Sequence, residues 1–194
     1  MNVKKASVFS GSVMALLIAG TASADFSGMA WEEVDNSGLV PDGRTYRLVA
    51  VMNQGDRLDA VAGNQEQDLR LTSTGSFYQN SFGGAYSTDI NAAFFSIAPS
   101  LEFDSFVTIG RTTNTDNGMN KVGLDTAVAS FELGGSLEAN NGTWFVTPDL
   151  SQGEAIEYNT LKDANGNSIG TAYGVLIAQV TVLNRDPLSA GTFS

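Results

Sequence analysis

Carboxylates are the only side chains in this sequence whose spacing suggests acid–base work. Glu102-Phe103-Asp104 fills the first two positions of an E-x-D-x-x-E pattern, in which paired carboxylates cleave glycosidic bonds. On a strand, alternation would set Glu102 and Asp104 on one face. The third position is Val107, so the acid/base partner is missing and no catalytic set is assigned. Histidine and cysteine are both absent. Imidazole relays, thiolate nucleophiles and zinc or iron–sulfur sites built on those ligands are therefore excluded. Carboxylates, tyrosines, hydroxyls, Lys121 and Lys162 are what remain, and the expectation is a protein that is not an enzyme.

Two segments carry oxygen ligands at spacings a hard cation could use. Residues 111–126 are rich in Asn, Asp and Gly, and Asp116, Asn117 and Asp125 are the candidate calcium ligands there. Asp163-Ala164-Asn165-Gly166-Asn167 has the D-x-N-x-N opening of a calcium loop. Ser168 then replaces the required glycine and no closing glutamate follows. Asn165-Gly166 accounts for that segment as a two-residue hairpin turn without any ion. Structural calcium is the one cofactor these residues suggest. For a ligand face the candidates are aromatic: Tyr78, Phe82 and Tyr86 lie close together among Gly, Ser and Asn. They can serve as a stacking surface for sugars or simply as core.

The elements that would position these residues read as strands. Tyr46, Leu48, Ala50 and Met52 alternate with Arg47, Val49 and Val51, a period-2 pattern with one strongly apolar face. Further runs fall at 58–62, 68–74, 103–110, 128–135, 143–148 and 175–183, separated by Gly, Asn and Asp. Residues 90–98 have some helical character ahead of Pro99. The expected fold is all-β, an antiparallel sandwich of about seven to nine strands. The intervening segments are too polar and glycine-rich for the helices of an α/β fold.

The first 24 residues look like an address. Lys4 and Lys5 precede the apolar run 13–20, and Ala22-Ser23-Ala24 supplies a small-residue cleavage site. The run is shorter than the roughly 20 residues that a spanning helix needs. Cleavage after Ala24 would leave 170 of the 194 residues as a single β-sandwich domain, 25–194. Two of the ten basic residues would leave with it, so eight would face 21 acids, a net −13. That balance opposes nucleic-acid partners and anionic membranes. It suits a secreted or envelope-associated protein.

The segments TYRLVAVMNQGDRLDAVAGN (45–64), LRLTSTGSFYQNSFGGAYS (69–87), PSLEFDSFVTIG (99–110) and WFVTPD (144–149) occur in this order. As a set they resemble a group of exported bacterial proteins that often carry a sorting tail of the PEP-CTERM kind. The resemblance covers roughly residues 45–183. It implies an exported β-rich protein and brings no activity, cofactor or catalytic residue with it. The sequence ends at Ser194 without the Pro-Glu-Pro tail, so release or envelope association is expected rather than anchoring by that route. The expected function is a non-catalytic structural or interaction module of the cell surface or matrix, with an extracellular protein or polysaccharide as partner. The alternatives are a carboxylate-dependent polysaccharide hydrolase and a carbohydrate-binding domain without turnover.

Overall fold

The computed structural model describes residues 26–183; the expected leader at 1–24 lies outside the described residues. In chain order the strands are β1 (Gly28–Val34), β2 (Gly43–Met52), β3 (Ala60–Gly63), β4 (Leu69–Leu71), β5 (Ser76–Phe77) and β6 (Phe106–Val107). They continue as β7 (Asn120–Val122), β8 (Leu137–Ala139), β9 (Gly142–Phe145), β10 (Ile156–Tyr158) and β11 (Ala172–Leu183), with one α-helix, α1 (Asp125–Phe131). The chain is thus mostly β with antiparallel sheets, and it is not a closed barrel. Several strands are only two or three residues long, which is why the described strands number eleven where seven to nine are expected.

β11 is the axis of the largest sheet. It pairs with β2 along one edge, and β1 pairs with the far side of β2. Its other edge is shared by β10 at residues 172–174, β6 at 178–179 and β5 at 182–183. Single backbone donors fill in between: Thr108 N–H reaches Ile177 O at 2.9 Å and Gly110 N–H reaches Leu176 O at 2.8 Å. A bulge leaves Ile177 unpaired between Leu176, opposite Val49, and Ala178, opposite Leu48. The extra residue shifts the alternation by one. Val175, the bulged Ile177, and Ala178, Val180 and Val182 after it therefore all enter the same core.

That core has a second contributor. β9 lies between β3 and β7, and the β4–β8 pair continues the β3–β9 ladder beyond residues 64–68 and 140–141. Val61, Leu69, Leu71, Leu137 and Trp144 from these strands meet Tyr46, Leu48, Ala50 and Met52 of β2. The alternation read in residues 45–52 holds: Val49 turns away into a smaller cluster with Ala30, Leu161 and Leu176, and Val51 packs against it.

Two expected strands fold differently. Residues 128–135 fall in and after α1, not in a strand. Ala127 and Phe131 are buried four residues apart, and Gly134, at φ +84, turns the chain out of the helix. Residues 103–110 keep only β6 as strand, because Pro99 starts a 3-10 turn that runs through Phe103. Residues 103–109 are buried throughout rather than on alternate sides. Residues 90–98 form no α-helix; their regular structure is the 3-10 turn Ala92–Phe94.

Burying β11 on both faces requires its polar side chains to find partners. Thr181 is fully buried, and its hydroxyl meets both Phe103 O and Thr45 Oγ1 at 2.6 Å. Gln179 donates to Glu102 O at 2.8 Å and accepts from Arg47 Nε at 3.1 Å. These bonds fasten the 99–105 segment to the sheet. Thr181→Val keeps the shape but strands a buried carbonyl and a buried hydroxyl, a loss of about 1–3 kcal/mol. Thermal melts of the variant should fall by roughly 2–4 °C per kcal/mol lost. A melt unchanged within the error of the scan would mean that these bonds do not hold the segment.

Candidate functional site

Between β5 and β6 the chain leaves the sheet at Phe77 and returns at Phe106. This excursion holds most of the residues singled out for binding, and it is built by short polar side chains closing local turns. The Asn80 side-chain oxygen accepts from Phe82 N–H at 3.0 Å, and the Asn91 side chain accepts from Ala93 N–H at 3.0 Å. Asp89 accepts from Tyr86 N–H at 3.2 Å. The Asn80 amide donates to the Tyr78 hydroxyl and to Ser100 Oγ, both at 3.0 Å. Beneath them Ile90, Leu101 and Phe106 form a small separate core, with Phe95 and Ala98 packed against it.

The three candidate rings do not share one exposed face. Phe82 is 52% exposed, whereas Tyr86 is only 5% exposed and belongs to the main core. Burial, with Asp125, Asp89 and Glu132 nearby, pushes the Tyr86 phenol up to about 12. The Lys121 ammonium sits 4.0 Å from the centre of its ring. Tyr78 is half-buried, and its hydroxyl is committed to Ser100 and Asn80. It supports the excursion from below.

What the excursion does present is aliphatic as well as aromatic. Phe82 packs against Phe94 with ring centres 5.9 Å apart and planes 49° apart. Ile97 is 70% exposed, and Ala92, Ala93 and Pro99 are exposed around it. The contacting pair Phe82–Phe94, and exposed Ile97 whose N–H donates to Phe94 O at 3.0 Å, make up an apolar ridge on a base pinned to the sheet through Glu102 and Phe103. The mixture of Phe, Ile, Ala and Pro in residues 92–99 was legible in the sequence. Its outward direction was not, because such a run reads equally well as core.

The carboxylate pair at 102 and 104 is not a pair in space. Both residues lie in or just after the 3-10 turn instead of alternating along a strand; Glu102 is exposed and Asp104 fully buried. Asp104 Oδ1 accepts from Asn80 N–H at 2.7 Å, while Oδ2 has no hydrogen-bond partner. Gly83 packs directly against that oxygen, leaving no space for a Cβ. Burial raises the Asp104 carboxyl to about 7 against the pull of the Asn80, Ser105 and Gly84 backbone donors, with Glu132 adding to the rise. The acid is therefore tuned by desolvation in a place with no open surface.

The proposed cation loop is ordered by its own amides. Asn117 donates to Ser87 Oγ and to Thr113 O, both at 2.8 Å, and its side-chain oxygen accepts from Met119 N–H and Gln152 Nε2, both at 3.2 Å. Both lone pairs of that oxygen are in use, and Asn117 connects Ser87, Thr113, Met119 and Gln152. Asp116 is exposed at φ +49, and Asp125 lies in the first turn of α1. Among the described residues no three acidic side chains cluster as a cation site. Residues 163–167 form a hairpin loop one residue longer than the expected two-residue turn. Asp163 O accepts from Gly166 N–H at 3.0 Å, Gly166 is at φ +80, and Asp163 N–H donates to Asn167 O at 2.8 Å. The Asp163 carboxylate takes the Asn165 and Asn167 N–H groups, which explains the D-x-N-x-N spacing.

Comparison with protein-family models, curated proteins and solved structures finds no match for this chain.

The buried acid makes a signed prediction. Folded Asp104 holds its proton up to about pH 7, while the unfolded chain releases it near 3.8. Between those values the native state binds more protons, so this group's contribution to stability is present at low pH and is lost as pH rises through 7. Asp104→Asn removes that slope. The variant should gain on the parent by a few kcal/mol between pH 4.5 and pH 8 in urea titrations. A parent–variant difference independent of pH would mean that Asp104 titrates normally.

Proposed function

We propose that this chain is an exported, non-catalytic interaction module that meets a protein partner through the Phe82–Phe94–Ile97 ridge. The carrying observation is exposure of these three apolar side chains on a segment that is locked from beneath. Large exposed apolar patches on otherwise polar surfaces mark association sites. Sugar recognition uses flat rings flanked by donors; the two ridge rings are tilted by 49°, and the most exposed member is aliphatic. A protein surface suits the ridge better. The partner face is apolar and neutral or basic, since the sequence carries 21 acids against ten bases.

In this reading the two β layers are the halves of an open sandwich, supported by the shared core between β2–β11 and the β3–β9 ladder. The leader at 1–24 directs export. Resemblance to exported bacterial proteins with sorting tails supports a place at the cell surface or in its matrix. No helix among the described residues is long and apolar enough to cross a membrane. Hydrolysis is less well supported, because Asp104 is sealed away while Glu102 faces solvent.

The test places a photo-crosslinking side chain at Phe94 and, as control, at Leu133, which is 90% exposed on its own. In the producing organism the Phe94 probe should give one discrete protein adduct that the Leu133 probe does not. Ile97→Asp should abolish it while leaving the melt nearly unchanged, as expected for an exposed site. An adduct indifferent to Ile97→Asp, or none beyond the control, would contradict the proposal. Release of reducing sugar from a polysaccharide panel would favour the hydrolase instead.

A further inference from the structure

On the edge of β11 away from β2, the cover passes from β10 to the 108–110 turn. β10 ends its pairing at Gly174, and the next donor on that side is Gly110 N–H at Leu176 O, with Val175 between them. A cleft of about 300 Å³ opens there, at the low end of the range for small-molecule sites. Its open apolar part comes from Ile156, Ala155 and the Tyr158 ring, while Val175 and Leu176 border it with their side chains buried in the core. Its polar part comes from Arg111, Gln152 and Glu154.

Arg111 is the unusual member. Among the described residues, Arg44, Arg47, Arg57 and Arg70 each have an acidic partner, and Lys121 and Lys162 each sit over an aromatic ring. The Arg111 guanidinium has neither, and its Nε is buried without a hydrogen-bond partner. In a chain with twice as many acids as bases, an unpaired and partly desolvated guanidinium is an unspent interaction.

The backbone around it is fixed in advance. Gln152 Nε2 donates to Ile109 O at 2.8 Å, and the Thr108 hydroxyl donates to Arg111 O. Gly110, at φ +67, lies against Gln152 O, where no Cβ would fit. The turn therefore fixes the Arg111 backbone at the cleft wall before any ligand arrives.

We propose that this cleft binds small organic monocarboxylates, with the carboxylate on Arg111 and an apolar body against Ile156 and the Tyr158 ring. A guanidinium matches the planar two-oxygen edge of a carboxylate. Glu154 at the same cleft, and the acidity of the whole chain, select against a dianion such as phosphate. The carboxylate can belong to a free acid or to the C-terminus of a peptide.

The experiment is an amide-resonance titration of the full mature chain at matched ionic strength. The probes are butyrate, phenylacetate, an apolar tetrapeptide with a free C-terminus, its C-terminal amide, and inorganic phosphate. Phenylacetate or the free tetrapeptide should give saturable shifts at Gly110, Arg111 and Ile156, and the one that binds more tightly identifies the source. The tetrapeptide amide and phosphate should bind at least tenfold more weakly. Arg111→Gln should weaken binding tenfold or more, and Glu154→Gln should tighten it severalfold, so the result does not depend on one variant folding. Saturable binding that survives Arg111→Gln, equal binding of the amide or phosphate, or no saturable shift with any carboxylate would overturn the assignment.

Discussion

A twelve-residue strand buried on both faces must satisfy its backbone on both edges, and the rest of this structure follows from how β11 does so. One edge is simple, because β2 runs beside it for ten paired positions. No long strand covers the other. It is completed by β10, two donors from the 108–110 turn, β6, Tyr78 N–H and β5, in that order along β11. These pieces come from three distant stretches of sequence. The loops between them are consequently held at both ends, and there the ridge and the Arg111 cleft are found.

The sequence has no cysteine, and polar side chains do much of the fastening between its segments. Ser87 and Thr108 share a buried hydroxyl–hydroxyl contact at 2.7 Å, Trp144 donates to Thr108 O at 2.9 Å, and Gln152 ties Ile109 to Gly118 and Asn117. Thr45, Thr181 and Ser105 form a similar group at the other end of β11. Each group joins segments far apart in sequence. Such networks favour one arrangement strongly when complete, because any alternative leaves buried donors without partners. Among the described residues the unmatched buried side-chain atoms, Ser76 Oγ, Asp104 Oδ2 and Arg111 Nε, stand out against that background.

Sequence reading succeeded where a strand has one wet or separately packed face. Residues 45–52 declare their two faces by alternation, and Leu69 and Leu71 do the same around exposed Arg70. It failed at 103–110, read as one strand, where only Phe106–Val107 is strand and a 3-10 turn runs up to Phe103. Asp104, Ser105 and Thr108 are all buried, each with partners that no local pattern reveals. It failed again at 128–135, although Leu124, Ala127, Val128 and Phe131 have helical spacing and Gly134-Gly135 supply a stop. β-branched and aromatic composition outweighed period there. The ridge and the Arg111 cleft were beyond reach for another reason. Both depend on which neighbours are absent, and that is decided only once β11 has gathered its edge.

Native-state hydrogen exchange at the borrowed edge tests this account most directly. If the edge is integral to the sheet, the amides of Thr108, Gly110 and Tyr78 should exchange as slowly as those at the centre of β11, through global unfolding alone. They should then share one dependence on denaturant with the β2 amides. Exchange of Thr108 and Gly110 orders of magnitude faster than that of β2, with little dependence on denaturant, would show that the turn merely rests against β11. The claim that one strand edge organises both surfaces would then be wrong.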